Sequence, residues 1–417
     1  MRRLVPPLLR TNPGFRSFWT GQTISLFGDQ VTLLAVPLLA VVSLDAGAAQ
    51  MGLLTAAGMA PNLLFSVHAG AWADRRPSRR RLMVATDVGR AALLATIPVA
   101  AALGLLTLAQ LYVVAFAVGS LGVLFFVSYN TLFVSLVERD EYIDASSLLN
   151  GSRALSLVGG NGIAGILVQV LTAPGALLFD AASYLLSASF LRRISAAEPE
   201  PAEPHGEPGR RAAGRRFIAR TPLMRACLGA SATLNLFNAA FFALLVLYAT
   251  EELGIGAAAL GLALGVGALG SVLGTLIAGR LSRRIGFGHA LILAFVLSPA
   301  PLLLVPAAGG SNLVTIPMVA VAEFLSGIGM MILDVGLGAL FAALIPDQLR
   351  SRVSGAYMLV NYGVRPVGAL GGGLLAATIG LRPTLWIAAV GALAGVLWLL
   401  PSPLSQLRVL PPRALAR

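Results

Sequence analysis

Long apolar runs alternate along this chain with short polar loops, and its arginines fall almost entirely on every second loop. Twelve runs lie at about 16–44, 49–72, 82–104, 109–137, 146–171, 175–191, 222–249, 256–279, 287–306, 312–343, 353–379 and 382–400. A hydrocarbon core about 30 Å thick takes about 20 helical residues to cross, so each run can be a span. All 30 residues of the Lys+Arg class are arginine. Arg90, Arg153 and Arg365 sit inside apolar runs, and Arg382 sits in a loop of the opposite set. The others lie at the termini, in alternate loops or, as Arg16 and Arg225 do, at the run ends that adjoin them. Basic residues accumulate in short cytoplasmic loops, which predicts both termini inside and an even number of spans. The expected fold is an all-α membrane protein of twelve transmembrane helices. All-arginine usage points to a GC-rich bacterial genome, hence to a bacterial inner membrane.

Composition excludes several function classes. Hydrophobic residues make up 57% and charged residues 12%, against about 25% charged in soluble domains. Twelve spans leave no room for a sizeable soluble domain. The net charge of +12 is spread over loop ends, so it reads as contact with a lipid bilayer, not with nucleic acid. Cys227 is the single cysteine, which rules out an internal disulfide. Three histidines and one cysteine make a structural zinc site unexpected. Walker, nucleophile-elbow and zinc motifs are lacking, so no cofactor, no direct use of ATP and no enzyme activity are expected. Residues 1–13 are basic and proline-broken, and the first run is too long for a cleaved leader.

Residues 195–220 break the pattern. Glu198, Glu200, Glu203 and Glu207 stand among prolines, then Arg210, Arg211, Arg215 and Arg216 follow. This reads as a flexible, solvated cytoplasmic linker. It divides the chain into six-span halves, 1–194 and 221–417, and the halves resemble each other. Leu136-Val137-Glu138-Arg139-Asp140 matches Leu344-Ile345-Pro346-Asp347-Gln348, and Asp29 falls on Asn238. An even number of spans per half gives a parallel, pseudo-twofold repeat about an axis along the membrane normal. Transporters built this way place a small-molecule site between the halves near the midplane.

The segment Gly70-Ala71-Trp72-Ala73-Asp74-Arg75-Arg76-Pro77-Ser78-Arg79-Arg80-Arg81 resembles the loop 2–3 signature of the major facilitator superfamily. The stretches Phe15–Gln22, Gly28-Asp29-Gln30, Asp87 with Arg90, and Phe179–Tyr184 are similar to its macrolide-efflux and enterobactin-exporter branch. The resemblance implies a monomeric secondary transporter that exports a drug or siderophore by proton antiport, with alternating access. It also implies a cytoplasmic gate at Gly70, Asp74 and Arg75. Antiporters of this superfamily usually carry Gly-Pro in span five, whereas this chain reads Gly159-Gly160-Asn161-Gly162. An uncoupled facilitator or lysolipid transporter, or a sensor that kept the fold without transport, are the alternatives.

Ionisable groups inside spans cost a few kcal/mol at least and mark pathways or paired sites. Asp29 lies 13 residues after Arg16, about 20 Å deep. The resemblance puts span one on the central cavity, where a carboxyl can carry a proton; the alternative is a structural carboxylate. Glu323 and Asp334, 11 residues apart in span ten, share a helix face about 16 Å apart and suit a proton path. Arg153 and Arg365 are candidate charge partners for Asp29, Asp334 or an anionic substrate group. Asp87 with Arg90 reads as an intrahelical pair, with Asp180 as its neighbour or a helix tether; the resemblance makes spans three and six peripheral, so a structural role is expected for these three. Phe126, Tyr129 and Asn130, then Asn235, Asn238 and Phe242, then Tyr357 and Asn361, are candidates to line a mixed aromatic and polar cavity for an amphipathic substrate.

Overall fold

The computed structural model describes residues 6–74, 78–195 and 210–409, and these are nearly all helical. Among them, nine helical runs are long and apolar enough to cross a membrane by length and composition. One, Tyr142–Arg192, has 51 residues and breaks at Thr172 (φ 66°, ψ 164°), which separates spans five and six. This left-handed backbone is unusual for a β-branched residue and costs of order 1–3 kcal/mol. Ala48–Asp74 and Arg350–Ile379 have comparable length. The whole is consistent with twelve spans.

Packing divides the chain into two compact units. The first comprises Met1–Ala46 with Ala57–Pro204, the second Gly47–Ala56 with His205–Arg417. The boundary therefore falls inside span two, where Ala56 packs with Ala243 and Ala369 of the second unit.

In the first unit, span one is Pro13–Leu44. Pro13 suits the first helical position because its missing N–H would be unpaired there in any case. Asn12 caps the helix by accepting from the Phe15 N–H at 2.8 Å, while its own amide donates to the Leu136 carbonyl at 2.7 Å. One residue thus starts span one and ties it to the end of span four (Leu108–Leu136). Ser78 caps span three (Arg79–Ala102), accepting from the Arg81 N–H. Below these caps Phe15, Phe18, Met83, Leu132 and Leu191 form a buried core. In span five, Ser156–Gly160 forms a π-helical turn. A Cβ on Gly160 would come within 2.8 Å of Gln30 Cγ, so the widened turn presses directly on span one. Such turns recur where a helix is shaped for function.

In the second unit, span seven (Pro222–Glu251) packs on span eleven (Arg350–Ile379) and span twelve (Leu381–Ala394), and span eight (Ala257–Ile285) packs on span ten (Asn312–Leu344). Hydrocarbon gives helices no hydrophobic reason to associate, so close van der Waals approach holds them. The glycine runs supply it: a Cβ on Gly270 would strike the Phe324 carbonyl, and one on Gly368 the Leu236 carbonyl. Span nine starts as Phe287–Leu297 and tightens to a 3-10 turn at Ala300–Leu303, because Pro299 and Pro301 cannot donate to the helix ladder.

Residues 196–209 of the linker lie outside the described residues, and the remainder differs from the solvated segment expected. Arg210–Arg220 is a helix, and its far end is docked, not solvated. Ile218 is buried with Met224, Ile345, Val353 and Tyr357, and Gly214 lies against the Arg352 backbone. Two apolar residues, Phe217 and Ile218, and one bare glycine face suffice to seat it.

Candidate functional site

Three spans of the first unit bring their polar residues together. On span six, Asp180, Ser183 and Tyr184 are spaced i, i+3, i+4 and share one face. On span three, Asp87 and Arg90 do the same. Gly28 lets span one lie close against span six; a Cβ there would come within 2.9 Å of Ser183 Cβ. That approach delivers Asp29. Its Oδ1 accepts from the Tyr184 hydroxyl at 2.5 Å. One turn on, Thr32 donates to Asp180, which also accepts from Ser183 at 2.9 Å. Arg90 lies 3.9 Å from Asp87, 4.4 Å from the Phe125 ring centre and 4.9 Å from that of Tyr184.

Asp87, Asp180, Arg90 and Tyr184 are buried. Asp29, Asp87 and Asp180 all interact electrostatically with Arg90. Three carboxyls thus face one guanidinium in an apolar interior. The polar atoms are also under-satisfied. Both Asp87 oxygens, Arg90 Nε and Nη2, Gln22 Nε2 and Gln30 Oε1 lack a hydrogen-bond partner among the described residues. Buried orphans of this kind call for a functional or hydration role.

Asp29, Arg90 and Tyr184 open onto a cavity of about 420 Å³ within the first unit, inside the usual size range for small-molecule pockets. Its walls are aliphatic and aromatic, from Leu26, Val118, Leu149, Phe125, Phe126 and Tyr129, with Gln22, Asn150 and Arg153 as further polar groups.

The residues expected from sequence are thus partly gathered. Asp29, Arg153, Phe126 and Tyr129 share this cavity. Asn130 does not line it; its amide donates to the Phe126 carbonyl. Tyr357, Asn361 and Arg365 form a ladder with span seven instead of an open lining. Tyr357 donates to Ser231 at 2.5 Å, Asn235 donates to Asn361 at 3.0 Å, and Arg365 Nε donates to Asn235 at 2.8 Å. Arg365 also stacks on Tyr362, so its described partners are a neutral amide and a ring, not a carboxylate. Asn238 has an unpartnered buried oxygen and Phe242 is exposed. Glu323 is buried against Gly267 of span eight, with Oε1 unpartnered, while Asp334 is exposed. The two carboxyls of span ten therefore sit in unlike surroundings. Gly70 and Asp74 belong to the helix Ala48–Asp74, but the surroundings of both, and Arg75 entirely, lie outside what is described.

Arg90, Asp180 and Tyr184 were not expected at the site. Asp87 with Arg90 was legible as a pair, and Asp180 with Tyr184 as one helix face. No pattern within a single span shows that the two faces meet Asp29. Among the described residues no group of three His, Cys, Asp or Glu could hold a metal ion.

Comparison with known proteins gives one consistent architecture. The sequence profile of the family described as transmembrane secretion effector matches residues 6–413. An uncharacterised MFS-type transporter of Bacillus subtilis (strain 168), YfiS, is 26% identical over 394 residues, covering 90% of this chain and 89% of its own. A bacterial homologue of the iron transporter ferroportin, in an inward-facing state, is similar in structure with a TM-score of 0.76 at 19% identity, covering 96% of this chain and 100% of its own. The nucleoside transporter NupG reaches 0.72 at 12% identity, covering 92% and 98%.

Proposed function

Since the chain belongs to the transmembrane secretion effector family of major facilitator superfamily transporters, we propose that it exports a hydrophobic or amphipathic small molecule, of drug or siderophore class, by proton antiport. The observation that carries this reading is Asp29, hydrogen-bonded to Tyr184 on the wall of a cavity that also presents Arg90 and aromatic rings. A carboxyl so placed can trade a proton for a substrate group as the cavity opens first to one side and then to the other. Arg90 keeps the cluster from carrying its full negative charge when the proton has left. The aromatic wall of Phe125, Phe126 and Tyr129 receives the apolar part of the substrate.

Glu323 is the second candidate for proton exchange, since it is buried with an unpartnered oxygen. Gly70, Asp74 and Arg75 are assigned to the cytoplasmic gate through the signature they belong to. The proposed setting is a bacterial inner membrane with both termini inside, and the proposed working form is a monomer.

Purified protein in proteoliposomes, loaded with an amphipathic dye, tests this. An imposed pH gradient should drive dye movement against its own gradient. Downhill dye flux that ignores the pH gradient would make the protein an uncoupled facilitator, and no flux with any of a panel of such dyes would reject the substrate class.

A further inference from the structure

A second concavity of the first unit lies away from the proposed substrate cavity. It measures about 560 Å³ and runs along span three. Arg80, Arg81 and Arg192 stand at one end, and Ala85, Val88 and Ala92 line its length. Arg81, Ala85, Val88 and Ala92 follow helical spacing and are all exposed, so one face of the span presents a basic mouth over a small-residue trough. No carboxylate is among the described residues that line it.

The dimensions suit one kind of occupant. From Arg81 to Ala92 the helix rises about 16 Å, and half of a hydrocarbon core is about 15 Å. The trough is therefore one leaflet deep, with its charged end where headgroups lie. That end is also the start of the span, where Ser78 caps the helix and the positive end of the helix dipole favours a phosphate. It is held in shape: Arg80 Nη1 donates to the Arg192 carbonyl at 3.1 Å and to the Ile194 carbonyl at 2.5 Å, fixing the start of span three to the end of span six. Alanine and valine leave room for an acyl chain to lie against the backbone.

We propose that this groove binds an anionic glycerophospholipid, with its phosphate on Arg81 and Arg192 and one acyl chain along Ala85, Val88 and Ala92. The site is separate from transport of the proposed substrate and stands whether or not that substrate class is right. Its role would be to seat the start of span three in the membrane. The charge complement and the single-leaflet depth select a lipid over a soluble phosphate compound, which would leave the apolar trough empty.

The test uses the full chain, purified and delipidated, titrated with phosphatidylglycerol or phosphatidylcholine and read by native mass spectrometry. Wild type should retain one phosphatidylglycerol in preference to phosphatidylcholine. The pair Arg81→Gln with Arg192→Gln should weaken phosphatidylglycerol about thirtyfold, the factor two arginines supply near an anionic surface, and leave phosphatidylcholine unchanged. Val88→Trp, or the milder Ala85→Leu, should weaken both lipids by filling the trough. Arg215→Gln with Arg216→Gln removes the same charge from the linker helix and should change nothing. Equal retention by wild type and the Arg81/Arg192 variant would overturn the proposal, as would an equal loss in the Arg215/Arg216 control. So would unaltered lipid binding in both trough-filling variants.

Discussion

Arg90→Met removes the buried guanidinium that faces Asp29, Asp87 and Asp180. Methionine keeps much of the volume, so the packing on Phe125 and Tyr184 is largely kept and the charge is what is lost. Breaking a buried ion pair from one side costs about 3–5 kcal/mol, because the partner charge is left uncompensated. For a unit of this size each kcal/mol lowers the melting midpoint by about 2–4 °C, so a fall of roughly 6–20 °C is expected. Adding Asp87→Leu should return at least half of that loss, since exchanging both partners of a buried pair for apolar residues is close to neutral. Detergent-solubilised protein, followed by tryptophan fluorescence on heating, gives both midpoints. The deficit of Arg90→Met should also shrink as the medium is acidified, because protonation removes the orphaned charge. A single variant within 2 °C of wild type, or a double variant no better than the single, would refute the assignment of Arg90 as the counter-ion of this cluster.

Asp74→Ala should leave expression and melting unchanged and slow transport about two- to fivefold, the size of a carboxylate's effect on a helix end; full transport rates would reduce the signature around it to a topology anchor. Gly270→Val should lower the melting midpoint and the yield, since its side chain would strike the Phe324 backbone and overpacking costs about 1–3 kcal/mol; an unchanged midpoint in the heating assay would mean that the seam between spans eight and ten gives way freely. Cysteines placed at Ala46 and Gly309, with Cys227 replaced by alanine, should react with an impermeant maleimide from outside, and one at Gly206 only after permeabilisation. Labelling of Gly206 in intact cells would reverse the proposed orientation.

Span ends were legible because burial of the backbone in hydrocarbon sets helix length. Span three, expected at 82–104, runs Arg79–Ala102; the helix starts earlier because Ser78 caps it, accepting from the Arg81 N–H. Rotation of each span about its axis was not legible. A helix that is apolar nearly all round carries no moment to say which face meets which neighbour. That is why Asp29 could be placed at depth but not against Tyr184, and why Arg90 and Asp180 read as peripheral. The same gap made Tyr357 and Asn361 read as cavity lining, whereas a turn-by-turn match with Ser231 and Asn235 binds them to span seven. The π-helical turn at Ser156–Gly160 left only an indirect sign, the glycine run at Gly159, Gly160 and Gly162. The linker helix was obscured because its charge suggested solvation while Phe217 and Ile218 supplied the anchor.

Asp29→Asn tests the central claim most directly. Asparagine keeps the size of the side chain and can still hydrogen-bond to Tyr184, but it cannot exchange a proton. One proteoliposome preparation should be assayed for both substrate exchange without a pH gradient and accumulation driven by one. The account predicts that exchange persists while pH-driven accumulation disappears. Accumulation retained at the wild-type level would contradict it and move proton exchange to Glu323, and loss of both modes together with a lowered melting midpoint would make Asp29 a structural carboxylate.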